Sequence, residues 1–338
     1  MQGSYTFSSR PKIDKELSRH ALVGDHYLSS VTGEEDGRKR LRELRVYEST
    51  LELLRGMWPT PLVKLRSFGE VWAKLEFFNA VSRSIKDRTA VHIIETVSKM
   101  GVKKIVDATS GNFGIALTLL ANLLGLKVTV AIPRRTSREV ELLLRLLGAE
   151  VVRAPCEVND HVMVSYCKKL AESIEAFFTN QFESELNPEA HYMYTGRELA
   201  EQLRAANVRP DVLVVALGTG GHAVGIARAL RESFGDVYVV GVASSRLDYI
   251  PGIKPGDTYR KWRDSVNEIV EVSLRDAARG VIEVARREGL LVGLSSGAVV
   301  SALERHVKPR LGADKVYVLV FPDDAQKYLS VLCEVAFS

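Results

Sequence analysis

The chain has 338 residues, of which 46% are hydrophobic and 26% charged, with a net charge of +4. This balance suits a globular protein of about two domains, at roughly 100–200 residues each, and excludes a disordered chain. Lys and Arg are interleaved with Asp and Glu, and no apolar run reaches the roughly 18–20 residues of a bilayer span, so neither nucleic acid nor membrane is an expected partner.

Residues 1–56 are polar and charged. Within them 33–45 is almost all Glu, Asp, Lys and Arg, and Leu41 and Leu44 predict an exposed amphipathic helix. We read 1–56 as an extension that packs on the main body or on a partner subunit. Its first 15 residues lack the apolar core of a signal peptide, and a cytoplasmic location is expected. Cys156, Cys167 and Cys333 form no C-x-x-C pair, which argues against a disulfide framework or a zinc site.

From Pro59 onward, β-rich runs at 71–75, 104–107, 128–132, 151–154, 212–217, 237–242 and 316–321 alternate with helical periodicity at 88–100, 113–124, 138–147, 161–174 and 223–234. Such alternation predicts βαβ units, hence an α/β protein whose twisted, parallel-rich sheets are covered by helices on both faces. The expected division is 57–190 for an N-terminal domain and 191–338 for a C-terminal one. Ligands in such folds gather where strands end. Three glycine-containing turns are expected to follow strands directly: 109–114, 218–221 and, after a strand at 290–292, 293–298.

Four stretches carry chemistry. In Lys74-Leu-Glu-Phe-Phe-Asn-Ala-Val-Ser-Arg-Ser-Ile-Lys86-Asp-Arg, a strand ends near Glu76 and a helix begins near Lys86. The positive end of the helix dipole lowers a lysine pKa there, as an imine-forming amine requires. Taken alone, Lys86 fits a surface lysine as well. In Asp107-Ala-Thr-Ser-Gly-Asn-Phe-Gly114, small hydroxyl residues and glycines open a helix, and its N–H groups can take an anion such as a carboxylate. In Val214-Val-Ala-Leu-Gly-Thr-Gly-Gly-His-Ala-Val-Gly225, a strand, a glycine loop and a helix form the layout of a phosphate cradle. This loop also fits the dinucleotide pattern G-x-G-x-x-A, but Gly241-Val-Ala-Ser-Ser-Arg246 lacks the acid that reads a ribose. A phosphate monoester therefore fits better than NAD, while Arg246 keeps an NADP-dependent oxidoreductase open as a different class of function. The fourth stretch, Gly289-Leu-Leu-Val-Gly-Leu-Ser295-Ser-Gly-Ala with Phe321-Pro-Asp-Asp-Ala-Gln-Lys-Tyr-Leu-Ser330, names no reaction by its spacing.

Together and in this order, these stretches resemble the fold-type II pyridoxal-phosphate enzymes, tryptophan synthase β-like in fold, and specifically the cysteine synthase family of O-acetylserine and O-phosphoserine sulfhydrylases. The resemblance runs from Pro59 to Ser330. It rests on Thr60-Pro-Leu, Lys74 to Asn79, Ser84-Ile-Lys-Asp-Arg88, Thr109-Ser-Gly-Asn112, Asn180-Gln-Phe182, Asn187-Pro188 with Thr195-Gly196, Gly218-Thr-Gly-Gly221, Gly289-Leu-Leu, Ser295-Ser-Gly297 and Pro322-Asp with Lys327-Tyr-Leu-Ser330.

The resemblance implies pyridoxal 5'-phosphate as cofactor, with Lys86 as its Schiff-base lysine and catalytic base. It implies that Asn112 bonds the phenolic oxygen and that Gly218, Thr219, Gly220, Gly221 and His222 hold the phosphate. It further implies that Ser295 faces the pyridine nitrogen and that Thr109, Ser110, Asn112 and Gln181 bind the substrate carboxylate. A serine, unlike a carboxylate, does not keep that nitrogen protonated, and the weaker electron sink suits β-elimination to an aminoacrylate, to which sulfide adds. Ala80-Val-Ser-Arg-Ser84, Phe113, Gly221-His222 and Tyr249-Ile-Pro-Gly-Ile253 are similar to the archaeal O-phosphoserine enzymes. A leaving phosphate calls for cations, and Arg83, Lys254 and His222 are candidates, with Arg260 and Arg246 behind them. The family's phosphoserine-reading arginine has no certain match here, and a lysine such as Lys254 is a poorer bidentate partner. A homodimer is the implied assembly. Within the fold the alternatives are a cystathionine β-synthase using homocysteine and a diaminopropionate-type synthase. A silent scaffold is a third class.

Overall fold

The computed structural model describes residues 45–109, 111–134, 136–155, 160–246, 248–256 and 261–337. The helix expected at 33–45 lies, up to residue 44, outside the described residues, as do Cys156, Ser110 and Arg260. The chain divides into two compact units, Met1–Leu53 and Leu54–Ser338. In the first, the Ser49 hydroxyl accepts from the Glu52 N–H and the Glu52 carboxylate accepts from the Glu48 N–H, a capping arrangement for a helix start.

The second unit is a two-domain α/β body built on two sheets. Its strands in chain order are β1 (Leu62–Lys64), β2 (Val71–Leu75), β3 (Lys104–Ala108), β4 (Lys127–Ile132), β5 (Glu150–Arg153), β6 (Phe177–Phe178), β7 (Val212–Ala216), β8 (Tyr238–Ser244), β9 (Glu268–Val272) and β10 (Tyr317–Phe321). The larger sheet has the order β1-β2-β10-β7-β8-β9 and the smaller β5-β4-β3-β6. Every pairing is parallel except β1 with β2. Chain order and sheet membership differ. β2 pairs with β10 across the length of the body, so a cut at 190/191 would divide the larger sheet.

Side chains alternate across the central strands, as the period of 2 demands. Val212, Val214 and Ala216 join Val240, Val242 and Leu319 in one core. Leu213, Val215 and Leu217 join Val239, Val318 and Val320 in the other. Both faces are buried, which is why β7 and β10 are apolar throughout. The helix Leu274–Glu288 and the short helix Leu294–Ala302 cover the first face, and Arg197–Ala205 and Gly221–Phe234 the second.

One expected strand, 290–292, is not formed. Gly289 closes the helix Leu274–Glu288 in a left-handed conformation, and only Val292 bridges, to Asp324. Strands β1, β6 and β9 were not expected: two are only two or three residues long, and β9 carries glutamates that mask its alternation.

A buried ionic cluster ties these parts together beneath the helix Lys86–Lys99. Arg88 donates to Glu76 through Nε (2.7 Å) and Nη2 (2.8 Å), and to Glu198 through Nη1 (2.9 Å) and Nη2 (2.7 Å). It also donates to the Tyr194 carbonyl at 2.6 Å and lies 4.7 Å from the centre of the Trp58 ring. Lys74 completes the set with bonds to Glu198, the Thr60 carbonyl and Gln202. Burial resists ionisation of Glu76, but the charge and hydrogen bonds of Arg88, with Lys74 adding, outweigh it and pull its pKa down to about 2. Removing one member strands the others. Arg88→Met is expected to lower stability by about 3–5 kcal/mol in urea unfolding, and a loss below 1 kcal/mol would show that the cluster relaxes or hydrates.

Candidate active site

The chemistry-bearing turns lie at the carboxyl ends of β2, β3, β7 and β10. Lys86 is the first residue of its helix. The loop before it is shaped by Asp87, whose carboxylate accepts from the N–H groups of Val81 (2.8 Å) and Ser82 (2.9 Å) and from the Ser82 hydroxyl. The loop is pinned to the end of β10, where the Ile85 N–H donates to the Pro322 carbonyl at 2.8 Å.

Lys86 points at the glycine loop, its Nζ 3.4 Å from the Thr219 hydroxyl. Burial, and then the charge of Lys254, lower its pKa to about 8. Desolvation, more than the helix dipole, makes this lysine available as an amine.

The loop after β7 contains Gly218, Thr219 and Gly220 and enters the helix Gly221–Phe234. Gly220 has a φ of +86°, which favours glycine. A Cβ at Gly221 would stand 2.2 Å from Oδ1 of Asn187, so the backbone comes as close as only glycine permits. Asn187 braces the loop from behind, donating from Nδ2 to the Thr219 hydroxyl (2.9 Å) and to the Gln181 carbonyl (2.8 Å). His222 is buried against His191, with ring centroids 5.9 Å apart. Burial, and then the Lys86 charge, push its pKa down to about 3 and favour the neutral imidazole.

The turn after β3 is held by its own Thr109. The Thr109 hydroxyl accepts from the N–H groups of Gly111 (3.4 Å) and Gly114 (3.3 Å). Asn112 opens the helix Asn112–Leu123 and donates from Nδ2 to Asp323 at 2.6 Å. Gln181 is buried, and its Nε2 donates to Asp107 (3.3 Å) and to the Ala108 carbonyl (3.0 Å). Burial raises the Asp107 pKa to about 7, against the hydrogen bonds from Thr179 and Gln181. Ser295 and Ser296 lie buried in the first turn of the helix Leu294–Ala302.

Of the cations expected near the mouth, Arg83 is engaged, its Nε 2.8 Å from Asp324. Lys254 lies with Nζ 3.9 Å from the centre of the Phe182 ring, beside Gln181, and its charge is felt at Lys86. Arg246 follows β8. Three participants were missed by the sequence reading as site residues: Asn187, Asp107 and Asp323. Asn187 and Asp323 stood in quoted motifs without a role. Asp107, next to last in β3, also opened a quoted stretch, and a carboxylate before a Thr-Ser-Gly-Asn turn was a usable signal.

The residues fit a pyridine ring bearing a phosphate. Nε2 of His222, Oγ of Ser296 and Oδ1 of Asp323 are buried without a protein partner. Such groups are normally satisfied, and a polar occupant of these turns would satisfy them. The glycine loop supplies free N–H groups at a helix start, and Lys86 supplies the amine.

Comparison with known proteins agrees with this geometry. Residues 53–323 match the family described as pyridoxal-phosphate dependent enzyme. The chain is 34% identical over 308 residues to a probable cysteine synthase of Bacillus subtilis, covering 85% of this chain and 97% of that protein. It is 34% identical over 301 residues to cysteine synthase B of Escherichia coli, covering 83% and 95%. The crystal structure of an O-ureido-L-serine synthase superposes with a TM-score of 0.74 at 27% identity, covering 86% of this chain and 96% of that one. No helix of the described residues is long and apolar enough to cross a membrane.

The neutral His222 has a pH signature. Its pKa is depressed from 6.5 in the unfolded chain to about 3, so its contribution to stability is present above about pH 6.5 and is lost as the pH falls toward 3. His222→Asn, unfolded in urea without cofactor, is therefore expected to gain about 2 kcal/mol on wild type between pH 7 and pH 5. A constant difference across that range would show that folding does not displace the His222 pKa.

Proposed function

Because the chain belongs to the pyridoxal-phosphate dependent enzymes, and within them to the fold-type II cysteine synthase family, we propose that it makes L-cysteine by β-replacement from an activated serine and sulfide, with O-phosphoserine favoured and O-acetylserine next. The observation that carries this reading is the meeting of Lys86, its pKa lowered to about 8, with Thr219 of the glycine loop.

Bound pyridoxal phosphate supplies an electron-accepting ring through which an amino acid can lose its α-proton and a β-substituent. The N–H groups of Gly218, Thr219, Gly220, Gly221 and His222 hold the phosphate. Asn112 donates to the phenolic oxygen, and Ser295 faces the ring nitrogen. Thr109, Ser110 and Asn112 take the substrate carboxylate. Gln181 reaches it only by trading one of its bonds to Asp107 or Ala108. Lys86 Nζ takes the proton from Cα and returns it after sulfide has joined Cβ. The protein acts as a homodimer in the cytoplasm.

The preference for phosphate rests on Lys254. Its charge opposes protonation of Lys86, and a doubly negative phosphate placed near both relieves that repulsion, which an uncharged acetyl ester cannot. Lys254 is the leading candidate among the expected cations because its charge reaches Lys86.

Two outcomes test this reading. Borohydride treatment of the holoenzyme followed by peptide mapping is expected to place the cofactor on Lys86. The rate of cofactor uptake should rise with pH through about 8, as the amine deprotonates; a label on another lysine would sink the assignment. In cysteine formation from phosphoserine and acetylserine side by side, Lys254→Ala is expected to lower kcat/KM for phosphoserine roughly 10–100-fold and to leave acetylserine nearly unchanged. Faster turnover of acetylserine by the wild type would overturn the phosphate preference.

A further inference from the structure

We propose that Asp323 is a positioning residue for Asn112: its buried carboxylate turns the Asn112 amide so that an N–H, and not the carbonyl oxygen, is presented to the phenolic oxygen of the cofactor. This inference rests on the role given to Asn112 above and adds what enforces it.

An asparagine amide presents an oxygen and a nitrogen of nearly equal size, and its neighbours decide which way it turns. Asn112 Nδ2 donates to Asp323 Oδ2 at 2.6 Å. Turned over, the amide would set its own oxygen against that carboxylate oxygen, two acceptors at contact. In a buried setting the flipped state is therefore disfavoured. One of the two Nδ2 hydrogens is spent on Asp323; the Tyr328 hydroxyl also takes a hydrogen bond from this amide, so the phenolic oxygen would share the remaining donor with Tyr328.

The carboxylate itself is held. The Tyr328 hydroxyl donates to the same Oδ2. The Gly293 N–H donates to the Asp323 carbonyl at 2.9 Å, and the preceding Pro322 carbonyl accepts from Ile85, next to Lys86. On the following residues, Asp324 pairs with Arg83, and Lys327 Nζ donates to the Ser82 carbonyl at 2.6 Å. The 322–328 segment thus straps the loop before Lys86 to the turn before Ser295, and Asp323 projects from this strap. Asn112 comes from the other sheet, so the contact registers the two halves of the site. Oδ1 of Asp323 has no protein partner, and a Cβ at Gly293 would fall 2.0 Å from it. A methyl group there has to displace the carboxylate without changing its chemistry.

The test reads the cofactor spectroscopically. An N–H donated to the phenolic oxygen favours its ionised form. The ratio of the long- to the short-wavelength absorption band of the bound cofactor reports that ionisation. Holoenzymes of wild type, Asn112→Ala, Asp323→Asn, the double variant and Gly293→Ala are compared at one pH. Asn112→Ala is expected to lower the ratio about tenfold, the worth of a hydrogen bond to a charged group. Asp323→Asn and Gly293→Ala should lower it in the same direction, and the double variant should fall no further than Asn112→Ala alone. An unchanged ratio in Asp323→Asn, or additive effects in the double variant, overturns the proposal and leaves the role of Asn112 standing. An unchanged ratio in Asn112→Ala overturns that role and the proposal with it. Should Asp323→Asn not fold, Gly293→Ala decides: a wild-type ratio in that variant overturns the proposal.

Discussion

A guanidinium buried two residues from Lys86 organises this molecule. Arg88 has no access to water, yet it meets two carboxylates, a carbonyl and a hydroxyl. Bringing such a charge inside is costly, and only a full set of partners offsets the cost. Those partners come from the end of β2, from the turn at Thr60 and from the helix Arg197–Ala205. Satisfying one side chain therefore fixes three segments around the helix that Lys86 begins. The same demand explains why Lys74, in the middle of a buried strand, is tolerated.

Electrostatics within the site follow from burial more than from local charge. Lys86, His222 and Asp107 are each displaced toward their neutral forms, with desolvation as the largest cause. In the proposed function, a pocket that neutralises its own groups leaves the negative charge of a phosphate and a carboxylate to be met by backbone N–H groups and Lys254. That arrangement suits an amine that must add to a carbonyl, because a fully protonated lysine cannot.

The fold class was legible in the sequence because parallel strands covered on both faces must be apolar throughout. β7 and β10 read as continuous Val, Leu and Phe runs for that reason. The glycine loop was legible because strand, glycine and helix succeed one another without a break. The sheet order was not. β1 and β2 precede the small sheet in the chain but pair into the large one, and nothing local to Leu62–Leu75 records a partner some 245 residues away.

The sequence by itself determined the kinds of groups at the site: an amine at Lys86, an amide at Asn112, a glycine loop at 218–221 and a hydroxyl at Ser295, each attached to a local turn whose shape short-range sterics and hydrogen bonds dictate. Only the tertiary structure decided how those groups are tuned. The amine of Lys86 is lowered by burial and by Lys254, His222 is kept neutral, Arg83 is paired with Asp324, and Asn112 rests against Asp323. Charge states and amide orientations depend on solvent exclusion and on partners distant in the chain, and those exist only once the two sheets are assembled.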